Sequence, residues 1–319
     1  MFFAIVCKVT LIHLQLSMSL LKNRYVNPAN VLTFGNLLLG FSAILCVTFG
    51  RIDLASVCLL SAMLCDFFDG MLARLLGVDG ELGKQLDSLA DVVSFGIAPG
   101  AIMFVMIVVG IDLESLNKTS VDASFCPINF NEFVRVKLME WSDAFFYNPN
   151  DANYMHQGCS IHLESNVYNA SIKYLPFVAG IIPLFAMIRL ANFNTDDRQK
   201  TSFRGIPTPL MTFFVLFFSL YFHLEKEHWF DHASWVRSIF DCYTLAIISV
   251  FISIAMILPI PMISLKFKVF SFRKNVLRYA FLLTSLISIF LFHLWSIPII
   301  LLLYLITSIG QMVFFKDDV

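Results

Sequence analysis

Apolar residues fill this chain in long runs separated by polar turns, and each run approaches the roughly 20 residues that cross a bilayer as a helix. Lipid offers the backbone no hydrogen-bond partner, so such runs are expected to be helical. The pattern predicts about eight transmembrane helices: Ala29–Phe49, Leu54–Leu76, Ser88–Gly110, Leu175–Ala191, Pro207–Phe222, Tyr243–Met262, Leu277–Leu294 and Ile297–Phe315. The fold expected is therefore an all-α integral membrane protein, a polytopic helical bundle. It divides into an N-terminal segment (1–27), a first group of three helices (28–111), a polar insertion (112–174), a second group of three (175–262) and a C-terminal pair (263–319).

Two stretches break the pattern. Residues 112–174 are polar and acidic, and a loop of that length is usually functional or disordered. Asn117 and Asn169 begin triplets that fit glycosylation sequons, and Cys126 and Cys159 share the same loop. An oxidising exterior would let those two cysteines pair as a disulfide; two free thiols are the alternative. Phe2–Leu20 is apolar but interrupted by Lys8 and His13. It reads either as an amphipathic surface helix or as sequence upstream of a start at Met18.

Composition agrees with the hydropathy pattern. Hydrophobic residues make up 58%, charged residues 14%, and the net charge is −1, so no basic excess points to nucleic acid. The cysteines contain no CxxC metal pattern. Lys and Arg do carry information through their placement. Lys22, Arg24, Arg74, Lys84, Arg189, Arg198, Lys200, Arg204 and the basic run from Lys266 to Arg278 fall on one side of the predicted topology. That side is expected to be cytoplasmic, with both termini on it.

Four acids sit where the second and third helices meet that side. Asp66 and Asp69 are three residues apart, and Asp87 and Asp91 four apart, so each pair shares a helix face. The turn Gly77-Val78-Asp79-Gly80 lets the second helix of the pair return beside the first, and the four carboxylates can converge. Converging carboxylates repel unless some protonate or a cation sits among them. All-oxygen ligands favour Mg²⁺, Mn²⁺ or Ca²⁺, and four acids suit two bridged ions about 3.5–4 Å apart, an arrangement that clamps phosphate oxygens. Gly70 opens space one turn after Asp66, Ala73 keeps that face shallow, Arg74 can aim a cation at phosphate, and Gly83 offers another close approach. The residue types together suit a diphosphate held by metals.

The run Asp66-x2-Asp69-Gly70-x2-Ala73-Arg74-x8-Gly83-x3-Asp87-x3-Asp91 resembles the complete signature of the CDP-alcohol phosphatidyltransferases. The stretches Asn27–Gly40, Ser88–Gly100 and Phe203–Pro209 are similar to the phosphatidylserine synthase branch of that family. One departure is Asn192, where the branch often has a second arginine. The resemblance implies a six-helix core, usually homodimeric, that moves a phosphatidyl group from CDP-diacylglycerol to an alcohol and releases CMP.

The same resemblance implies residue roles. Asp66, Asp69 and Asp87 would bind one divalent cation, and Asp66, Asp87 and Asp91 a second, Mg²⁺ or Mn²⁺. Gly70 and Arg74 would contact the CDP part, with Ala73 and Gly83 shaping the pocket. Asp91 would be the general base for the acceptor hydroxyl, since a base must reach both the alcohol and a metal. Serine is the expected acceptor. Arg189 and Arg204 could take its carboxylate, although positive-inside topology alone puts basic residues there. Asn30 and Thr33 could contact the nucleotide, although both are also good helix-start residues. Glycerol 3-phosphate, inositol, inositol phosphate, choline or phosphatidylglycerol as acceptor would keep the same chemistry. A cation-coupled transporter is the reading from another class, and it predicts broken helices and an inverted repeat that the sequence does not display.

Overall fold

The computed structural model describes residues 27–78, 80–116, 130–146, 172–195, 205–224, 238–260, 262 and 276–314. Among the described residues every regular element is helical. Helix α1 spans Pro28–Thr48. Asn27 caps it by accepting from the Asn30 backbone N–H at 2.7 Å, and Pro28 occupies the first turn, where its missing N–H costs nothing. Helix α2, Ile52–Leu76, returns along α1 and ends at Gly77, whose left-handed backbone (φ 60°) suits a glycine terminator.

The chain then turns back into one long rod. Helix α3 (Glu81–Val92) passes through a π-helical turn (Val93–Ile97) into α4 (Ala98–Leu116). This rod is the centre of the bundle. In its most apolar window 72% of residues are buried, against 28% for α1 and for α2, which present most of their surface to lipid. Ile102, Met103, Met106 and Ile107 form its inner face. Small residues let neighbours close on the rod: a Cβ at Gly100 would lie 2.9 Å from Pro183 Cδ, and one at Gly110 would lie 2.7 Å from the Phe240 carbonyl oxygen.

The neighbours are a 3₁₀ segment (Ile172–Gly180) running into α6 (Ile181–Thr195), α7 (Thr208–Leu224) and α8 (Cys242–Ile257). Buried hydroxyls link them. Ser56 of α2 and Ser219 of α7 share a hydrogen bond of 2.7 Å, and Thr212 of α7 donates to the Phe95 carbonyl in the π turn at 3.4 Å. Gly205, just before α7, has φ 73°, and a Cβ there would lie 2.1 Å from the Met256 carbonyl oxygen. Gly205→Ala should therefore strain both backbone and packing. We expect a loss of about 1–3 kcal/mol, seen as a lower thermal midpoint in detergent; an unchanged midpoint would contradict this close approach.

One feature differs from the sequence expectation. The insertion is not only loop: Phe130–Phe146 forms helix α5, which packs on α4 and the 3₁₀ segment. Trp141 donates to the Lys173 carbonyl at 3.0 Å and meets Phe104 edge-on at 5.0 Å, while Lys137 is buried in an ion pair with Glu140. Polar residues on α5 mask an inner face that the composition of the loop hides. All eight expected helices are present. Among the described residues five stretches are long and apolar enough to cross a membrane: Pro28–Thr48, Ile52–Leu76, Glu81–Ile111, Ile172–Thr195 and Leu277–Gly310, with Thr208–Tyr221 and Cys242–Ile257 as shorter apolar helices. The last stretch contains both expected C-terminal helices. It breaks at His293 (φ 47°) into α9 (Val276–Phe292) and α10 (Ser296–Phe314), which pack on each other as a hairpin. Cys126, Cys159, both sequons, Met18 and Arg204 lie outside the described residues.

Candidate active site between the second and third helices

The site forms where α2 ends and α3 begins. Helical spacing puts Asp66 and Asp69 on one face of α2, and α1, which packs on both α2 and α3, holds those two helices around the site. One carboxylate oxygen from each of Asp66, Asp69 and Asp87 lies within 4.8 Å of the others. Three like charges this close repel by roughly 3.5 kcal/mol per pair at an effective dielectric of 20. Asp69 is buried, Asp66 and Asp87 are half-buried, and Asp87 Oδ1 is buried with no hydrogen-bond partner. Three clustered carboxylates, one of them with a buried oxygen that has no hydrogen-bond partner, fit a bound divalent cation, and oxygen-only donors suit a hard ion.

Helix α1 supports the cluster from the side. Thr33 Oγ1 donates to Asp69 Oδ2 at 2.7 Å, so the hydroxyl expected to meet nucleotide is engaged with a candidate metal ligand in this structure. Asn30 lies beside Gly83, where a Cβ would sit 3.6 Å from Asn30 Oδ1, so these two candidate nucleotide contacts share one wall. A Cβ at Gly70 would meet nothing within 4 Å, which leaves open space beside the carboxylates. Ala73 and Arg74 follow one turn on, with Arg74 exposed.

Asp91 stands apart from the three. It is 8% exposed and within electrostatic range of Asp66, Asp87 and Asp69, but it is not in their tight oxygen cluster. Its Oδ1 accepts instead from Asn36 Nδ2 at 3.1 Å. Arg189, on α6, is also 8% exposed and within electrostatic range of Asp91. Its Nη1 reaches Thr208 Oγ1 at 3.4 Å, while its Nε has no hydrogen-bond partner. A buried guanidinium with a spare donor beside the carboxylates can take an anion. Tyr304, from α10, lies within electrostatic range of Arg189.

Sequence reasoning missed Asn36, Thr208 and Tyr304. Asn36 did carry a signal, an amide inside an apolar helix one turn after Thr33, but nothing in its spacing points to Asp91. Thr208 and Tyr304 sit in ordinary helical sequence, and only the fold brings them near Arg189.

Residues 26–114, the segment that holds all four aspartates, match the family model described as CDP-alcohol phosphatidyltransferase. The chain is 39% identical over 74 residues to the CDP-diacylglycerol–serine O-phosphatidyltransferase of Bacillus subtilis, covering 23% of this chain and 42% of that one. It is 41% identical over 88 residues to the protein of the same name from Saccharomyces cerevisiae, covering 25% and 32%. The archaetidylserine synthase of Methanothermobacter thermautotrophicus is 37% identical over 83 residues, covering 25% and 35%. The chain thus spans less than half the length of these curated relatives. Its first helices, with the aspartate cluster and the α1 residues that brace it, carry a CDP-alcohol phosphatidyltransferase domain over residues 26–114.

Proposed function

We propose that this protein transfers the phosphatidyl group of CDP-diacylglycerol to the hydroxyl of L-serine, giving phosphatidylserine and CMP. The observation that carries the reading is the convergence of Asp66, Asp69 and Asp87 beside the open space at Gly70, with Asp91 held next to them. The names of the similar proteins favour CDP-diacylglycerol and serine among the possible substrates.

In this reading Asp66, Asp69 and Asp87 hold one Mg²⁺ or Mn²⁺, and Asp66, Asp87 and Asp91 hold a second. Bound there, the ions would neutralise diphosphate oxygens and the charge that grows on departing CMP. The chain's own groups do the rest. Asn30, Thr33, Gly70, Ala73, Arg74 and Gly83 shape the place of the CDP part. Asp91 accepts the serine hydroxyl proton as that oxygen bonds to the phosphorus bearing diacylglycerol. The bond from that phosphorus to the oxygen of CMP breaks, and CMP leaves with the electron pair. Arg189 binds the serine carboxylate through its unengaged Nε, and Arg204 is a second candidate for that anion. The acyl chains lie among the helices in the inner leaflet, the site opens to the cytoplasm, both termini are cytoplasmic, and the protein works as a homodimer.

The test is CMP release by purified protein with CDP-diacylglycerol, Mn²⁺ and a panel of alcohols. Serine should drive release, while glycerol 3-phosphate, inositol, inositol phosphate, choline and phosphatidylglycerol should not. Arg189→Ala should raise the KM for serine about 10- to 100-fold, the value of one charged hydrogen bond, while leaving the KM for CDP-diacylglycerol in place. Another alcohol outperforming serine would replace the acceptor assignment.

A further inference from the structure

Asn36 sits in the middle of α1 with 0% exposure. Its Nδ2 donates to Asp91 Oδ1 at 3.1 Å, and its own Oδ1 has no hydrogen-bond partner. A buried acceptor left unsatisfied costs about 1–3 kcal/mol, which an apolar residue at this position would avoid. Packing therefore gives no reason for an amide here. Its geometry toward Asp91 does. A carboxylate accepts hydrogen bonds only, so the amide must turn its NH₂ to Asp91 and its carbonyl away.

The backbone around this contact is pinned as well. Ser94 Oγ donates to the Asn36 carbonyl oxygen at 2.9 Å, which ties α1 to the rod three residues beyond Asp91. Gly40, one turn after Asn36, permits the approach: a Cβ there would lie 2.3 Å from Ser94 Oγ. Ser94 belongs to the π turn Val93–Ile97, and such turns recur at functional sites because they alter helix register locally. Glycine, serine and amide thus hold one helix face of α1 against the segment that carries Asp91.

We propose that Asn36 is a positioning residue for Asp91, occupying one carboxylate oxygen so that the other is presented to the acceptor hydroxyl. This rests on Asp91 being the base. Asn36 does not touch substrate; it restricts Asp91 to one orientation in the site.

The test is steady-state CMP release by purified Asn36→Ala and Asn36→Leu proteins, each alone and combined with Asp91→Ala. Asn36→Leu keeps the side-chain volume and removes the donor, so it serves where Asn36→Ala lowers the thermal midpoint. Each single variant should lower kcat about 10- to 100-fold. The KM for CDP-diacylglycerol should stay within about twofold, a split that general loosening of the bundle would not produce. In the Asp91→Ala background the Asn36 substitutions should cost nothing more. A folded Asn36→Leu protein with wild-type kcat overturns the inference, and so do losses that add to that of Asp91→Ala. The KM-against-kcat split decides alone if the Asp91→Ala rate is too slow to resolve. Wild-type turnover by Asp91→Ala would remove the base reading itself, which is a different failure.

Discussion

Chelation with EDTA should take CMP release to background, and added Mn²⁺ or Mg²⁺ should restore it. The expectation follows from charge. Asp66, Asp69 and Asp87 place three carboxylate oxygens within 4.8 Å, and a diphosphate must approach the same space. Without cations the anionic substrate meets an anionic wall, and each pairwise repulsion of this kind is worth several kcal/mol in a partly desolvated site. Every 1.36 kcal/mol is tenfold in rate, so a loss of about 10³-fold or more is expected. Asp87→Ala should do the same, with no rescue by excess metal, because Asp87 supplies one of the three clustered oxygens and the only one from α3. A second readout separates metal loss from misfolding. Mn²⁺ should raise the thermal midpoint of the wild-type protein by binding the native state, and should not raise that of Asp87→Ala. Full CMP release in EDTA would remove the metal assignment, and with it the reason for the aspartate cluster.

Asp91→Asn should lower kcat by about 10²–10⁴-fold, the range for loss of a positioned general base. The substitution preserves shape and takes one charge from the proposed second ion's ligands, while Asp66, Asp69 and Asp87 keep the oxygen triplet proposed to hold the first ion and CDP-diacylglycerol. The fall should therefore appear in kcat, with little change in the KM for CDP-diacylglycerol. An Asn at 91 also meets the Asn36 amide, which can flip to give its carbonyl oxygen to the new NH₂. The variant should fold for that reason, and a thermal midpoint near that of the wild type would show it. CMP release close to wild type would mean that another group, or hydroxide, takes the acceptor proton.

Much of this molecule is readable from local patterns. The starts and ends of α1 and α2 follow from Asn27, Pro28 and Gly77, each a residue whose backbone chemistry acts within one turn. The pairing of Asp66 with Asp69 and of Asp87 with Asp91 follows from helical period. The hidden face of α5 was not readable, because Lys137 and Trp141 look like surface residues of a polar loop until Glu140 and the Lys173 carbonyl satisfy them. The C-terminal hairpin was read as two helices, yet hydropathy alone could not say that they pack on each other.

The division has one physical origin. Hydropathy, helix caps and three- and four-residue spacings act over a single turn or a single membrane crossing, so the sequence alone determined that this is a helical membrane bundle with four acids at the junction of two helices. Which carboxylates share a cation, which oxygen of Asp91 remains available, and which buried arginine lies near it depend on contacts between α1, α3 and α6, residues as far apart as Asn36 and Arg189. Only close packing of the helices, set by Gly40 against Ser94 and by Gly100 against Pro183, decided those distances.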